Sequence, residues 1–282
     1  MWFIYALTGA VITGIGQVLV KKGQLKLTPL LDNLIAAIIV NVILVPLLFL
    51  RGVDIGVSRN ILIYALITAT MYAAFYYIIS FGRVSLMISL INTSPVVTIA
   101  LAVSFLHEWP KLIQWCGVIF VIMGAFAISN NLSQKGTKNN EHHWILWGFL
   151  GSLTMGIAEF VTKLATMHTD GFTFTFFVYL MYLAPLAFFM FVDRSGRRFE
   201  SLKNLSSLLP TLLGIFFIEA GLIAIALAYQ HGLASLVSPI VASHLLFTAV
   251  LAAYFLKERL TVEQKIGILL NLIGVSLIGI PA

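Results

Sequence analysis

The sequence predicts an all-α integral membrane protein, with ten transmembrane helices arranged as two inverted five-helix repeats. Three observations lead there. Hydrophobic residues make up 60% of the chain and charged residues 10%, against about 45–50% and about 25% in a soluble domain, so the bilayer is its main solvent. Ten apolar runs, each about as long as the ~20 residues a helix needs to cross the hydrocarbon core, succeed one another across 282 residues with short polar connections. The stretch 82–128 also recurs ungapped at 232–278, with thirteen identities over 47 positions and the glycines and a loop glutamate in register. A period of half the chain means duplication rather than a short solenoid repeat.

Taken in order, the first run, residues 2–20, has no basic residue before it and no small-residue cleavage site after it. It therefore reads as a span rather than a leader, and it stops at Lys21 and Lys22. Span two covers 28–50, and span three 60–81 after a polar loop. Gly82 and Arg83 make a tight connection to span four, which runs to Leu106. Pro110 suits the first turn of span five. The polar segment 131–143 links a first repeat, 1–130, to a second, 144–282. Spans six and seven cover 144–165 and 172–192, and span eight 208–230. His231 and Gly232 turn the chain into span nine, which reaches Leu256, and span ten occupies 262–280. Helices are expected throughout, because an open sheet edge cannot sit in lipid and nothing alternates with period two.

The duplication reaches beyond the repeated stretch. Gly9, Gly14, Ile15 and Lys21 align with Gly151, Gly156, Ile157 and Lys163, and Pro46 with Pro185. Five spans is an odd number, so the second repeat must enter the membrane the other way up, an arrangement that points to a transporter.

The formal net charge of +6 would suggest nucleic acid in a soluble protein. Here the cations sit at span ends, facing lipid headgroups, and no nucleic-acid partner is expected. The single cysteine, Cys116, forms no internal disulfide. Lys and Arg number thirteen on the side of the connections after spans one, three, five, seven and nine, against four on the other. By the positive-inside rule those connections are cytoplasmic and both termini lie outside.

The words SFLHEWPKLIQWCGVIFVIMG and YFLKERLTVEQKIGILLNLIGV resemble the EamA-type family of the drug/metabolite transporter superfamily. Glu258, Arg259, Leu260, Thr261, Gly267 and Gly274 fit its pattern in full; Glu108, Gly117 and Gly124 fit it in the first half, where Trp109, Pro110 and Lys111 depart. The resemblance covers nearly the whole chain. It implies export of small metabolites by alternating access, often with proton coupling. It also implies termini in the cytoplasm, against the charge count. The substrate class stays open between amino acids, drugs, sugars, nucleotides and quaternary amines.

Several residues stand out against this frame. Glycines seven apart, Gly117/Gly124 and Gly267/Gly274, share a helix face and suit close helix packing. Glu108 and Glu258 read first as capping or salt-bridging groups in wet turns and second as substrate contacts. Glu219 lies in the middle of span eight with no basic residue within a turn. A charge at the bilayer centre costs about 2.5–3.5 kcal/mol on insertion scales, so such a carboxyl usually faces a cavity, and it suits proton coupling or cation recognition. Glu159 has Lys163 four residues on, as its counterpart Gln17 has Lys21, which reads first as a structural pair along the helix and second as a coupling group. His244 at mid-depth in span nine can share a proton, bind substrate or be a hydrogen-bonded core residue. In span three, Ala69, Tyr72, Tyr76 and Ser80 recur at helical spacing and turn towards Glu219, with Thr68 and Thr70 flanking. The stripe either packs or holds an organic cation by its ring faces. Asn92, with Ser85 and Ser89, marks a polar face on span four. The aromatic run of span seven, 172–182, reads first as packed or lipid-facing and second as lining the pocket, and Pro46, Pro95, Pro185 and Pro239 permit bends.

The expectation is a secondary carrier of a small organic metabolite or drug in the cell membrane of a prokaryote. Glu219, His244, Tyr72, Tyr76, Asn92, Glu159 and Gln17 are its candidate substrate-binding or coupling residues. Its partners would be a small-molecule substrate, protons and the bilayer; a homodimer is neither demanded nor excluded. A flippase for a lipid-linked sugar and an uncoupled facilitator are the alternatives. A membrane-embedded enzyme is disfavoured. The chain has no Walker sequence and no paired-aspartate motif, and its histidines show no metal-ligand spacing beyond the adjacent His142 and His143. No cofactor or metal is expected.

Overall fold

The computed structural model describes residues 1–23, 29–51, 58–81, 90–133, 143–192, 205–257 and 259–280. Among the described residues the regular structure is helical throughout. The helices are α1 (Trp2–Gly23), α2 (Pro29–Arg51), α3 (Arg59–Phe81), α4 (Ser94–Leu106), α5 (Leu112–Ser133), α6 (His143–Thr166), α7 (Gly171–Val192), α8 (Leu205–His231), α9 (Ala234–Ala242), α10 (His244–Phe255) and α11 (Val262–Ile278). Six segments are long and apolar enough to cross a bilayer: Trp2–Lys22, Arg59–Ile79, Ile145–Thr166, Gly171–Val192, Leu209–His231 and Ala234–Phe255. Large apolar side chains such as Ile4, Phe105, Phe188 and Phe191 stand exposed on the outer faces, as lipid contact requires and water would not favour.

Two expected spans are not single helices. Span nine breaks at Ser243 into α9 and α10, and span four turns at Asn92 and Thr93 before α4 begins. The breaks lie 150 residues apart, Thr93 opposite Ser243 in the duplication. Hydropathy alone cannot register such a break, because apolar residues continue through it. Pro95 sits in the first turn of α4, and Pro239 lies inside α9, where it removes a backbone donor just upstream of the break. α4 and α10 also end alike. His107 and Lys257, the residues before the two turn glutamates, adopt positive φ angles of 55° and 54°. The Gly82–Arg83 connection, Ser85, Ser89 and Glu258 lie outside the described residues.

Packing follows the small residues. α1 runs along α8 and also meets α10, while α6 runs along α3 and also meets α4. At the α1–α8 crossing, Gly16 and Gly214 face each other so closely that a Cβ on either would lie 2.6 Å from the other's carbonyl oxygen. α5 and α11 approach in the same way through Gly117 with Gly274 and Gly124 with Gly267; these glycines are packing elements. One apolar cluster joins α2, α3 and α7 around Ala65, Ala69, Ala73, Phe174 and Tyr182, and a second joins α1, α4, α5, α8, α9 and α11 around Val121, Tyr229, Val237 and Ile278.

The turn glutamate Glu108 is buried, not wet. Its Oε2 accepts from the amide of Ser235 at 3.1 Å and from the Ser235 hydroxyl at 3.2 Å. It thereby caps the N-terminus of α9, where orphan amides need acceptors.

Candidate functional site

The helices enclose a cavity of about 300 Å³. α3 contributes Tyr72 and Tyr76; α7 contributes Val178, Tyr179 and Tyr182; α8 contributes Glu219 and Leu222. Gln17 and Thr13 reach it from α1, Asn33 from α2, and Glu159 and Met155 from α6. Both helix breaks open onto it, through Asn92 and Ser94 on one side and Ala242 and His244 on the other. All seven sequence candidates, Gln17, Tyr72, Tyr76, Asn92, Glu159, Glu219 and His244, therefore line one space. Thr68 lines an adjoining chamber, whereas Thr70 bonds back to the carbonyl of Leu66 at 2.7 Å on an exposed face and does not reach either.

Two carboxyl groups meet this space under different constraints. Glu219, 8% exposed, accepts a hydrogen bond from the hydroxyl of Tyr179. Glu159, 7% exposed, accepts three on a single oxygen, Oε2. The donors are Thr98 at 2.8 Å, Tyr229 at 3.1 Å and Ser238. These hydroxyls come from α4, α8 and α9, so this carboxyl ties together helices of both halves. Buried carboxylates persist only when such partners offset their desolvation.

The expected Glu159–Lys163 pair does not form. The Lys163 Nζ instead donates to the carbonyls of Tyr229, at 3.0 Å, and Gly232, at 2.6 Å, and so holds the C-terminal turn of α8, whose last carbonyls lack helical partners. Sequence spacing permitted the pair along one helix; the neighbouring helix offered both residues better partners.

From α1, Oε1 of Gln17 accepts from Thr248 at 2.8 Å. The Nδ1 of His244 lies 2.9 Å from the carbonyl of Val241. A carbonyl can only accept, so Nδ1 carries the proton in this contact. The amide nitrogen of Asn92 and the hydroxyl of Thr13 are buried without a protein partner. Tyr182 donates to Oδ1 of Asn33 at 3.0 Å. Among the described residues no Lys or Arg lines the cavity, and no group of three or more His, Cys, Asp or Glu could hold a metal ion.

Sequence reasoning overlooked Tyr229, Ser238 and Asn33, and ranked pocket lining second for the run that holds Tyr179 and Tyr182. The second reading of the α7 run applies to part of it, since Val178, Tyr179 and Tyr182 form a cavity wall. An unbroken apolar run has no polar stripe to mark an inner face, so only the tyrosine hydroxyls signalled it. Thr98 carried a signal, its identity with Thr248 in the duplication, but no partner could be inferred for it.

Residues 1–130 and 142–280 match the EamA-like transporter family. Over 131 residues the chain is 30% identical to an uncharacterized protein of Methanocaldococcus jannaschii, a match covering 45% of this chain and 94% of that protein. Over 70 residues it is 37% identical to the magnesium transporter NIPA3 of Homo sapiens, across 25% of this chain and 17% of that one. A crystal structure of a protein 11% identical in sequence superposes with a TM-score of 0.80, covering 98% of this chain and 95% of its own. That is a likeness of fold.

Proposed function

The chain belongs to the EamA-like transporter family, and we propose that it is a secondary active carrier of a small organic metabolite or drug, of the amino acid or amine kind, across a prokaryotic cell membrane. In this reading ten spans form two inverted five-helix repeats, 1–130 and 144–282, joined by the linker 131–143. They rock about the cavity so that it opens to each side in turn. The observation that carries the proposal is that two broken helices, 150 residues apart in the duplication, meet one cavity with unengaged polar groups. Discontinuous helices at the membrane midplane are where carriers of this architecture place their substrates.

Glu219 is the coupling group of this proposal. Tyr179 orients its carboxyl, which can exchange a proton for substrate as the cavity changes sides; Tyr72, Tyr76, Asn92, Gln17 and His244 line the route. The cargo of the magnesium transporter relative is not adopted. That match covers only 25% of this chain and 17% of that one, and among the described residues no group of three or more His, Cys, Asp or Glu could hold a metal ion.

Purified protein in liposomes with an imposed pH gradient tests the proposal. Substrate-dependent proton flux from a panel of amino acids, amines and sugars is expected in the wild type and lost in Glu219→Gln. Flux that persists unchanged in the variant removes Glu219 from coupling. Substrate uptake without proton flux makes the protein an uncoupled facilitator.

A further inference from the structure

The two oxygens of Glu159 have unequal surroundings. The hydroxyls of Thr98, Tyr229 and Ser238 all converge on Oε2, and Oε1 has no protein partner. Glu159 forms part of the wall common to the main cavity and a smaller side chamber of about 70 Å³. Tyr72 and Tyr179 are shared in the same way. The chamber adds a second unused acceptor, the hydroxyl of Thr68, which is 1% exposed and has no partner. Its remaining walls include the rings of Phe174 and Tyr229. Neither space is lined by Lys or Arg among the described residues.

From this geometry we propose that Glu159 Oε1 and the side chamber receive the ammonium group of an organic cation, whose apolar body lies in the larger cavity between Tyr72, Tyr76 and Tyr179. Each part of the arrangement supports that class. Three fixed donors on Oε2 hold the carboxylate in place and leave Oε1 as the acceptor directed at a ligand. Aromatic faces around a desolvated cation add attraction that they would not give an anion. The absence of a basic lining residue disfavours a substrate whose only charge is a carboxylate, since nothing would pair with it. The chamber also has room for an ammonium group with a water or two and too little for a bulky tetraalkylated head. Size therefore selects primary and small secondary amines.

This inference deepens the carrier reading, but its test needs no transport. The full chain in detergent is titrated calorimetrically with 2-phenylethylamine and with its neutral isostere 2-phenylethanol. The amine is expected to bind, and the alcohol to bind at least tenfold more weakly. Glu159→Gln is expected to weaken the amine at least tenfold while the unliganded protein stays monodisperse on size-exclusion chromatography. Glu159→Asp, which keeps the charge, is expected to retain part of the affinity. Equal binding of the alcohol, or full amine affinity in Glu159→Gln, overturns the assignment. So does displacement of the amine by millimolar MgCl2 or NaCl through Glu159, which would make this an inorganic-cation site. If the amine does not bind but another substrate drives proton flux in liposomes, the ammonium site fails and the carrier stands. If the amine binds but nothing is transported, the ammonium site stands and the carrier reading fails.

Discussion

Glu159 and Gln17 occupy equivalent positions on α6 and α1, and each accepts a hydrogen bond at 2.8 Å from the equivalent threonine, Thr98 or Thr248. The backbone around them is equivalent too. Gly156 lies against Val97 and Ser94, and Gly14 against Phe247 and His244, pairs related by the same 150-residue offset. The resemblance ends at the next layer. Glu159 has two further donors, Tyr229 and Ser238, and the residues 150 positions earlier are Ile79 and Ile88. Glu219 likewise stands where the first half has Ala69. Duplication thus supplied one geometry twice, and only one copy carries the hydroxyls that allow a buried carboxylate. What distinguishes the two sites is the set of donors on neighbouring helices, not the helix each residue sits on.

The comparison can be broken at several strengths. The largest effect is expected where the two sites are alike. A Cβ on Gly156 would lie 2.5 Å from the Cβ of Val97, and one on Gly14 2.7 Å from the Cβ of Phe247. Gly156→Leu and Gly14→Leu should therefore each abolish monodisperse protein on size-exclusion chromatography, because such overlap in a packed interior has no low-energy relief. If one is tolerated and the other is not, the two seams are not equivalent.

Exchanging the special residues comes next. The double variant Gln17→Glu/Glu159→Gln should stay at least tenfold weaker than wild type for 2-phenylethylamine, a loss of about 1.4 kcal/mol or more. The new carboxyl on α1 would have one hydroxyl donor where Glu159 has three. Recovery of wild-type affinity would show that position alone decides the chemistry.

A smaller difference should separate the threonines. Thr98→Val removes one of three donors from the carboxylate and should cost about 1 kcal/mol of amine affinity, the scale of one hydrogen bond. Thr248→Val should leave that affinity within about twofold, because it touches only the neutral site. Equal losses would tie both threonines to the ligand. The smallest effect is expected at Thr70, whose hydroxyl bonds within its own helix on an exposed face. Thr70→Val should leave melting temperature and affinity unchanged, and a measurable change in amine binding would place the cavity wall elsewhere on α3.

The same contrast explains what could be read in advance. Glu219 was legible because a carboxyl amid apolar residues needs a reason to be there. The tyrosines of α3 were legible because helical spacing puts them on one face. Glu159 was misread as a partner for Lys163, because intrahelical spacing is visible in a sequence and interhelical donors are not. The α7 tyrosines were obscured by their setting, since a helix buried on most sides has no polar stripe to reveal its inner face.

By itself the sequence determined the solvent, the helical class, the duplication and the family, since all four are properties of composition, run length and spacing along the chain. Tertiary structure alone decided that spans four and nine break at Thr93 and Ser243. It also decided that Lys163 holds the end of α8 while three hydroxyls converge on Glu159. The physical reason is that a buried polar group is settled by whatever donor or acceptor comes within about 3 Å of it, and in a membrane bundle those atoms belong to helices distant in sequence.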